Sequence, residues 1–258
     1  MAVQSVMSTN SVSRSTMGRT LFPVLLAASL CSGAVSAAEF ETDIVQTSAG
    51  ELRVTFIGHG SLMLEFGRKV IQIDPWSALA DYSRFPKADI ILITHHHIDH
   101  LDTLALSKCR GEKSILIGTG RCAEMYPGIK AVQYGDTLIA AGLPIEVVPA
   151  YNPLPSMLPS PVHPRGVCNG YIVTCGDARL YFAGETENIP EMRRVNDIDI
   201  LFLAADNVYN MTPEMAAEAA KVIRPKILYP IHFSDLDPAR ISELLQRSGI
   251  DIRVRQMR

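Results

Sequence analysis

The sequence predicts an α/β fold, an αββα sandwich of two mixed β-sheets flanked by helices, and three observations predict it. A meander of alternating strands followed by a strand–helix–strand unit occurs before a proline-rich segment at residues 149–164 and again after it. Short apolar runs at 89–93, rich in β-branched residues, and at 199–204 have the composition of buried strands. No low-complexity tract or linker interrupts residues 52–258, so the two halves read as one domain.

Taken in order, residues 39–51 are polar and read as a loose lead-in. Residues 52–57, 61–66 and 70–74 alternate around Gly58-His59-Gly60 and Gly67-Arg68-Lys69, which predicts an antiparallel meander. The buried run at 89–93 follows, then a short helix over 101–107, a strand over 114–117 and a helix over 121–126. Residues 138–148 read as a hairpin around Gly142-Leu143-Pro144. Six prolines between 149 and 164 predict a long irregular loop, the kind that is often functional in a compact domain. Beyond it, 170–175 and 179–183 form a hairpin around Gly176-Asp177, and 199–204 is a buried strand. Thr212 with Pro213 opens a helix through 222. A strand over 226–232 ends in His232, and a helix over 238–247 and an edge strand over 250–254 complete the chain.

Residues 1–38 have the layout of a secretory signal peptide. Arg14 and Arg19 are the only charges, residues 21–30 form an apolar core, and Val35-Ser36-Ala37 or Ser36-Ala37-Ala38 offers a small-residue cleavage site. Broken by Pro23 and Ser29, the apolar run is too short to span a membrane comfortably. The expectation is a periplasmic or secreted protein with a functional domain at 39–258 and no stable membrane anchor after cleavage. Cleavage removes two positive charges and no acid, taking the net charge from −3 to −5. That balance argues against a nucleic-acid partner and leaves a small molecule as the expected substrate. The sequence does not specify an oligomeric state. Cys109, Cys122, Cys168 and Cys175 remain. In an exported chain they pair, Cys109 with Cys122 and Cys168 with Cys175 by proximity, or lie buried as free thiols. None has the C-x-x-C spacing of a thiolate metal site.

Chemistry concentrates at residues 94–102, Thr-His-His-His-Ile-Asp-His-Leu-Asp, which hold four of the seven histidines. On extended backbone, side chains repeat every two residues, so His95 and His97 point one way and His96 the other. Two imidazoles on one side can chelate a cation, while Asp99 and His100, where the chain turns, can face a second. Zinc suits His and carboxylate donors, one ion or two; Mn2+ and Fe2+ stay open. Two such ions clamp a water and make it a nucleophile near neutral pH. Asp99 is also the expected catalytic proton acceptor.

This His-x-His-x-Asp-His stretch resembles the signature of the metallo-β-lactamase superfamily. Phe56-Ile57-Gly58-His59-Gly60-Ser61 and Ile73-Asp74-Pro75-Trp76 resemble the opening strands of its branch near L-ascorbate-6-phosphate lactonase. The resemblance spans residues 52–235 and implies an αββα sandwich with a metal site at the edge between the sheets. It also implies further ligands. His232, ending Tyr229-Pro230-Ile231-His232, matches the last metal histidine. Glu185, in Ala183-Gly184-Glu185-Thr186, stands where the family usually has the bridging aspartate, so the carboxylate is kept but is one methylene longer. Where the family has a histidine after the strand at 145–148, this chain has Ala150-Tyr151-Asn152. His163, in the same loop, is favoured as the ligand and Asn152 is the alternative. The resemblance places His59 near the site as a support. Asp74 is a candidate acceptor for a ligand imidazole. Asp206-Asn207 either brings a polar group to the pocket or ends its strand as a turn. The expected function is metal-dependent hydrolysis of an ester, lactone or phosphodiester, with Arg121 and Arg165 as candidate cations for a charged substrate. The alternative is a metal-binding or sensing protein without turnover.

Overall fold

Two seven-stranded sheets, each running through its strands in sequence order, form the body of a computed structural model that describes residues 40–153 and 162–257. The expected signal peptide lies outside the described residues. The first sheet contains β1 (Glu41–Thr47), β2 (Gly50–Gly58), β3 (Ser61–Phe66), β4 (Lys69–Ile73), β5 (Ala88–Leu92), β6 (Arg110–Gly118) and β7 (Ile129–Ala131). Its first four strands pair antiparallel and the rest parallel. The second sheet contains β8 (Thr137–Ala140), β9 (Leu143–Ala150), β10 (Cys168–Cys175), β11 (Ala178–Phe182), β12 (Ile200–Ala204), β13 (Ile227–Ile231) and β14 (Asp251–Ile252). It repeats the plan, with four antiparallel strands and then parallel ones.

The layers follow from the period of two. Leu180 and Phe182, like Ile200 and Phe202, belong to the core shared with Val54 of β2 and with Leu62 and Leu64 of β3. The intervening Tyr181, Leu201 and Leu203 pack with Ala216 and Ala220 of α3 (Pro213–Ile223) and with Ile241 and Leu245 of α4 (Ala239–Leu245). On the first sheet, Ile91 and Met63 pack with Ala105 and Leu106 of α1 (Thr103–Cys109) and Cys122 of α2 (Gly120–Met125). The result is the expected αββα order. Each fully buried Leu or Phe contributes about 1.5–3 kcal/mol by leaving water. Phe182, Phe202 and Tyr229 stack through the central core at centroid spacings of 4.7 and 5.3 Å.

Three details differ from the sequence reading, and one alternative it left open, free buried cysteines, is the one found. Residues 41–47 are not a loose lead-in but an edge strand, β1, paired with β2 from Glu41↔Phe56 to Thr47↔Gly50. Its polar composition reflects its wet outer edge. The second half begins at β8, before the proline-rich segment, because β9 and β10 pair across that segment from Ala150↔Cys168. Proline density marked a loop inside the second meander rather than a boundary, and Pro144 and Pro149 lie within β9 itself. The short strand β7 carries no strong pattern and was not expected. All four described cysteines are free and buried, so neither sequence-near disulfide forms. Cys109 and Cys122 fill the layer under α1 and α2, whereas Cys175 lies in the central core.

Candidate metal centre

The site residues follow the C-terminal ends of strands from both sheets, along one edge of the sandwich. His59 follows β2, Asp74 follows β4, the 94–102 loop follows β5, Glu185 follows β11, Asp206 follows β12 and His232 follows β13. Three of them hold left-handed backbone, His59 (φ 52°), Asp74 (φ 43°) and His232 (φ 51°). Non-glycine residues adopt that region at a cost, and such strain collects at functional sites. Gly184, just before Glu185, has φ +69°, and a Cβ there would sit 2.8 Å from the Asn169 carbonyl oxygen. Only glycine lets the backbone turn Glu185 inward beside β10.

The 94–102 loop is tied locally. The Leu101 and His100 amides donate to the His97 carbonyl at 2.7 and 3.0 Å. Asp102 caps α1, accepting from the Leu104 and Ala105 amides at 2.8 and 3.2 Å. The last carboxylate of the motif therefore holds the loop rather than facing the cluster. Beneath it Asp74, 2% exposed, accepts from the Thr94 amide at 2.7 Å, the Thr94 hydroxyl at 2.6 Å and His100 Nδ1 at 2.8 Å. That contact makes Asp74 the expected acceptor for a ligand imidazole and turns His100 Nε2 toward Glu185 Oε1, at 2.9 Å.

Two groups of ligand atoms result, each within 4.8 Å of one another: His95, His97, His163 and Glu185 in one, and His59, Asp99, His100 and His232 in the other. Glu185 reaches both. Its Oε2 is 2.7 Å from His163 Nε2, and its Oε1 is 2.5 Å from His232 Nε2. The His232 contact is short yet out of hydrogen-bond alignment, the relation of two donors aimed at a common point. In the first group, the His95 ring lies 4.4 Å from His97 and 4.9 Å from His163. In the second, Asp99 Oδ2 is 3.1 Å from His59 Nε2, and the His59 ring lies 3.5 Å from His232. His96 belongs to neither group.

The donor chemistry fits a cation. His95 Nε2 is buried without a hydrogen-bond partner among the described residues. An orphaned buried polar atom costs about 1–3 kcal/mol, which a bound ion offsets. Burial, reinforced by neighbouring His100, holds the His95 pKa well below its ordinary value, so the ring is a neutral donor with a free lone pair. Burial opposes ionisation of Glu185, but the charge of His232 and the hydrogen bond from His100 outweigh it and hold the carboxyl well below its usual range. Desolvation likewise opposes the charge of Asp99, but the His59 hydrogen bond and the charge of His100 overcome it and lower the pKa to about 2.

The structure thus brings His95, His97, Asp99, His100, His163, Glu185 and His232 into one centre. His59, read from sequence as a support, lies among the second group. Asn152 faces His163 from outside the groups, with His163 Nδ1 2.9 Å from Asn152 Oδ1. Asp206 fills both roles left open for it. Its Oδ1 accepts the amides of Val208, Tyr209 and Asn210, and its Oδ2 is 3.5 Å from His232 Nδ1. Thr94 was missed by sequence reasoning; its only signal was its place between the buried strand and the first histidine.

A β-lactamase superfamily domain model matches residues 53–232, most of the chain. This chain belongs to the metallo-β-lactamase superfamily. A crystal structure of a protein from Parabacteroides distasonis, described as a metal-dependent hydrolase, is 45% identical, covers 85% of this chain and all of its own, and superposes with a TM-score of 0.82. A UPF0173 metal-dependent hydrolase of Thermus thermophilus is 32% identical over 198 residues, 73% of this chain and 87% of that protein. One of Methanopyrus kandleri is 26% identical over 225 residues, 79% and 95% of the two chains.

Proposed function

We propose that this chain is an exported metal-dependent hydrolase that binds one or two divalent cations, zinc foremost, and cleaves an ester, lactone or phosphodiester of a small molecule. The reading rests on Glu185, whose two oxygens face two separate groups of donors. His95, His97 and His163 would hold one cation and Asp99, His100 and His232 the other, with Glu185 between them. When bound, the metal supplies Lewis acidity toward water and toward the electrophilic centre.

The chain's own residues supply the rest. Asp74 fixes the His100 ring so that Nε2 faces inward. Asp99, the more exposed carboxylate of the centre, stays ionised at neutral pH and is placed to orient the water and accept its proton. The signal-peptide layout of residues 1–38 supports export to the periplasm or beyond. The relatives' names support hydrolysis, and the fold leaves the bond open.

Elemental analysis of the purified protein should find between one and two metals per chain; less than about a tenth would sink the reading. A His97→Ala variant should lose metal and activity together. A panel of lactones, carboxylic esters and phosphodiesters then identifies the bond. Full metal content without turnover on that panel would favour the alternative of a metal-binding or sensing protein.

A further inference from the structure

The proline-rich loop offered two candidates for the missing ligand, and their geometry separates their work. Asn152 Oδ1 faces two groups of His163, the backbone amide at 3.2 Å and ring Nδ1 at 2.9 Å. The amide is a donor only, so the atom facing it must accept. At the other end of the carboxamide, Nδ2 donates to the Tyr209 carbonyl at 3.0 Å, and a carbonyl can only accept. Both ends of Asn152 are therefore assigned by their partners, and the amide cannot flip without losing three contacts. The Asn152 amide also donates to the His163 carbonyl at 2.8 Å, closing a two-way clasp between the residues.

We propose that Asn152 is a positioning residue that fixes His163 in the Nδ1–H tautomer and aims its Nε2 at the metal centre, tethering that ring to the loop after β12. The inference rests on the metal reading above. His163 is fully buried and Asn152 is 3% exposed, so water does not compete for the Nδ1 proton. With Nδ1–H donating to Asn152, the lone pair is left on Nε2, which lies 2.7 Å from Glu185 Oε2 and 3.4 Å from His97 Nδ1. A ligand imidazole usually donates its other N–H to an oxygen acceptor, and Asn152 is that acceptor here. The tether carries further consequence. The loop bearing the Tyr209 carbonyl is organised by Asp206, which faces His232, so one loop supports a histidine of each donor group.

The test compares wild type with Asn152→Leu and Asn152→Asp. Zn2+ affinity is read by competition with a chromophoric chelator, the His163 tautomer by 1H–15N NMR, and integrity by thermal unfolding. Wild type should show a protonated His163 Nδ1. In the Zn2+-loaded protein, a proton on Nε2 in place of Nδ1 overturns the assignment. Asn152→Leu should weaken Zn2+ binding about 10–100-fold and lose the Nδ1–H resonance. Asn152→Asp keeps an oxygen facing His163 while losing the donor to Tyr209. It should keep the resonance and bind Zn2+ more tightly than Asn152→Leu. If Asn152→Leu does not fold, Asn152→Asp decides alone: loss of the Nδ1–H resonance in that variant overturns the proposal. If wild type and folded Asn152→Leu bind Zn2+ equally, the positioning role fails and the metal reading stands. If wild type takes up no Zn2+, the metal reading fails and the positioning role falls with it.

Discussion

The N-terminal sheet delivers His95, His97, Asp99 and His100 from one loop after β5, whereas the C-terminal sheet delivers His163, Glu185 and His232 from three separate loops. The two sheets share a strand plan, but they furnish the centre in different ways. In the first, one loop is turned by hydrogen bonds among near neighbours, such as Leu101 to His97, and anchored as a unit by Asp74. In the second, ligand positions depend on partners far along the chain, such as Asn152 with Tyr209 and Asp206 with His232. The first arrangement gathers its ligands on one contiguous loop. The second exists only once the sheet has formed.

Glu185 is where the two arrangements meet, so its loss should have the largest effect. Glu185→Ala leaves both groups of imidazoles without their shared carboxylate. Metal content should fall at both groups, and activity should drop by more than about a hundredfold, the upper figure for losing an outer-shell partner. Glu185→Asp keeps the charge but is one methylene shorter than a side chain that now reaches both groups. Its metal content, measured by elemental analysis, should fall between wild type and Glu185→Ala. Wild-type content in Glu185→Ala would break the idea that the halves share one centre.

Next comes a matched pair of outer partners, one from each half. Asp74 makes three hydrogen bonds of 2.6–2.8 Å under the 94–102 loop, to Thr94 twice and to His100. Asp206 meets His232 only at 3.5 Å. Asp74→Ala should cost metal affinity near the top of the range of about 10–100-fold, and Asp206→Ala near the bottom. Chelator competition measures both. Equal losses would mean that the two halves hold their ligand imidazoles equally rigidly.

The same contrast explains what could be read from the sequence. The first sheet's site was legible because its donors are adjacent and follow a buried apolar strand, so spacing alone puts His95 and His97 on one side. Glu185, His163 and His232 are single residues in ordinary contexts, and only the family resemblance singled them out. The roles of His59 and Asp206 depend on contacts between loops that spacing does not encode. Thr94 donates to Asp74, a residue 20 positions away, so nothing local marks it. In the fold, the alternating strands announced themselves, whereas β1 did not, because an edge strand has a polar face. Proline density misplaced the boundary of the second half, since it reports where strands end and says nothing about which strands then pair.

A third, smaller effect lies at the other seam between the halves. Asp43 of β1 accepts from Tyr229 Oη at 2.5 Å, from Arg253 at 3.2 Å and from Arg255 at 2.7 Å. Burial works against its charge, but these partners outweigh it and lower its pKa below the ordinary 3.8. A depressed carboxyl stabilises the fold fully above its unfolded pKa and loses that contribution as pH falls through the folded value. Asp43→Asn should therefore lower stability by about 1–3 kcal/mol at neutral pH, with the difference from wild type shrinking in acid below about pH 4. Urea unfolding at several pH values checks the sign. A difference that grows in acid would contradict the assignment.

The smallest expected effects separate the two arginines considered for a charged substrate, again one from each half. Arg121 is an exposed residue of α2 whose charge is met by Glu124 at 2.7 Å. Arg121→Ala should change stability by less than about 0.5 kcal/mol and leave activity unchanged, as is usual for an exposed pair one helical turn apart. Arg165 pairs with Glu191 at 2.7 Å, and its guanidinium lies 5.1 Å from the Tyr151 ring centroid and 5.5 Å from that of Tyr134. Stacking of an exposed guanidinium on aromatic rings is weakly stabilising, so Arg165→Ala should lower the melting temperature by no more than about 4 °C. Arg165 stands two residues from His163, and Tyr151 precedes Asn152, so this stack borders the clasp that aims the ligand. A rise in KM for an anionic substrate on Arg165→Ala, with kcat held, would assign the substrate's charge to the C-terminal half. An equal rise on Arg121→Ala would return it to the first.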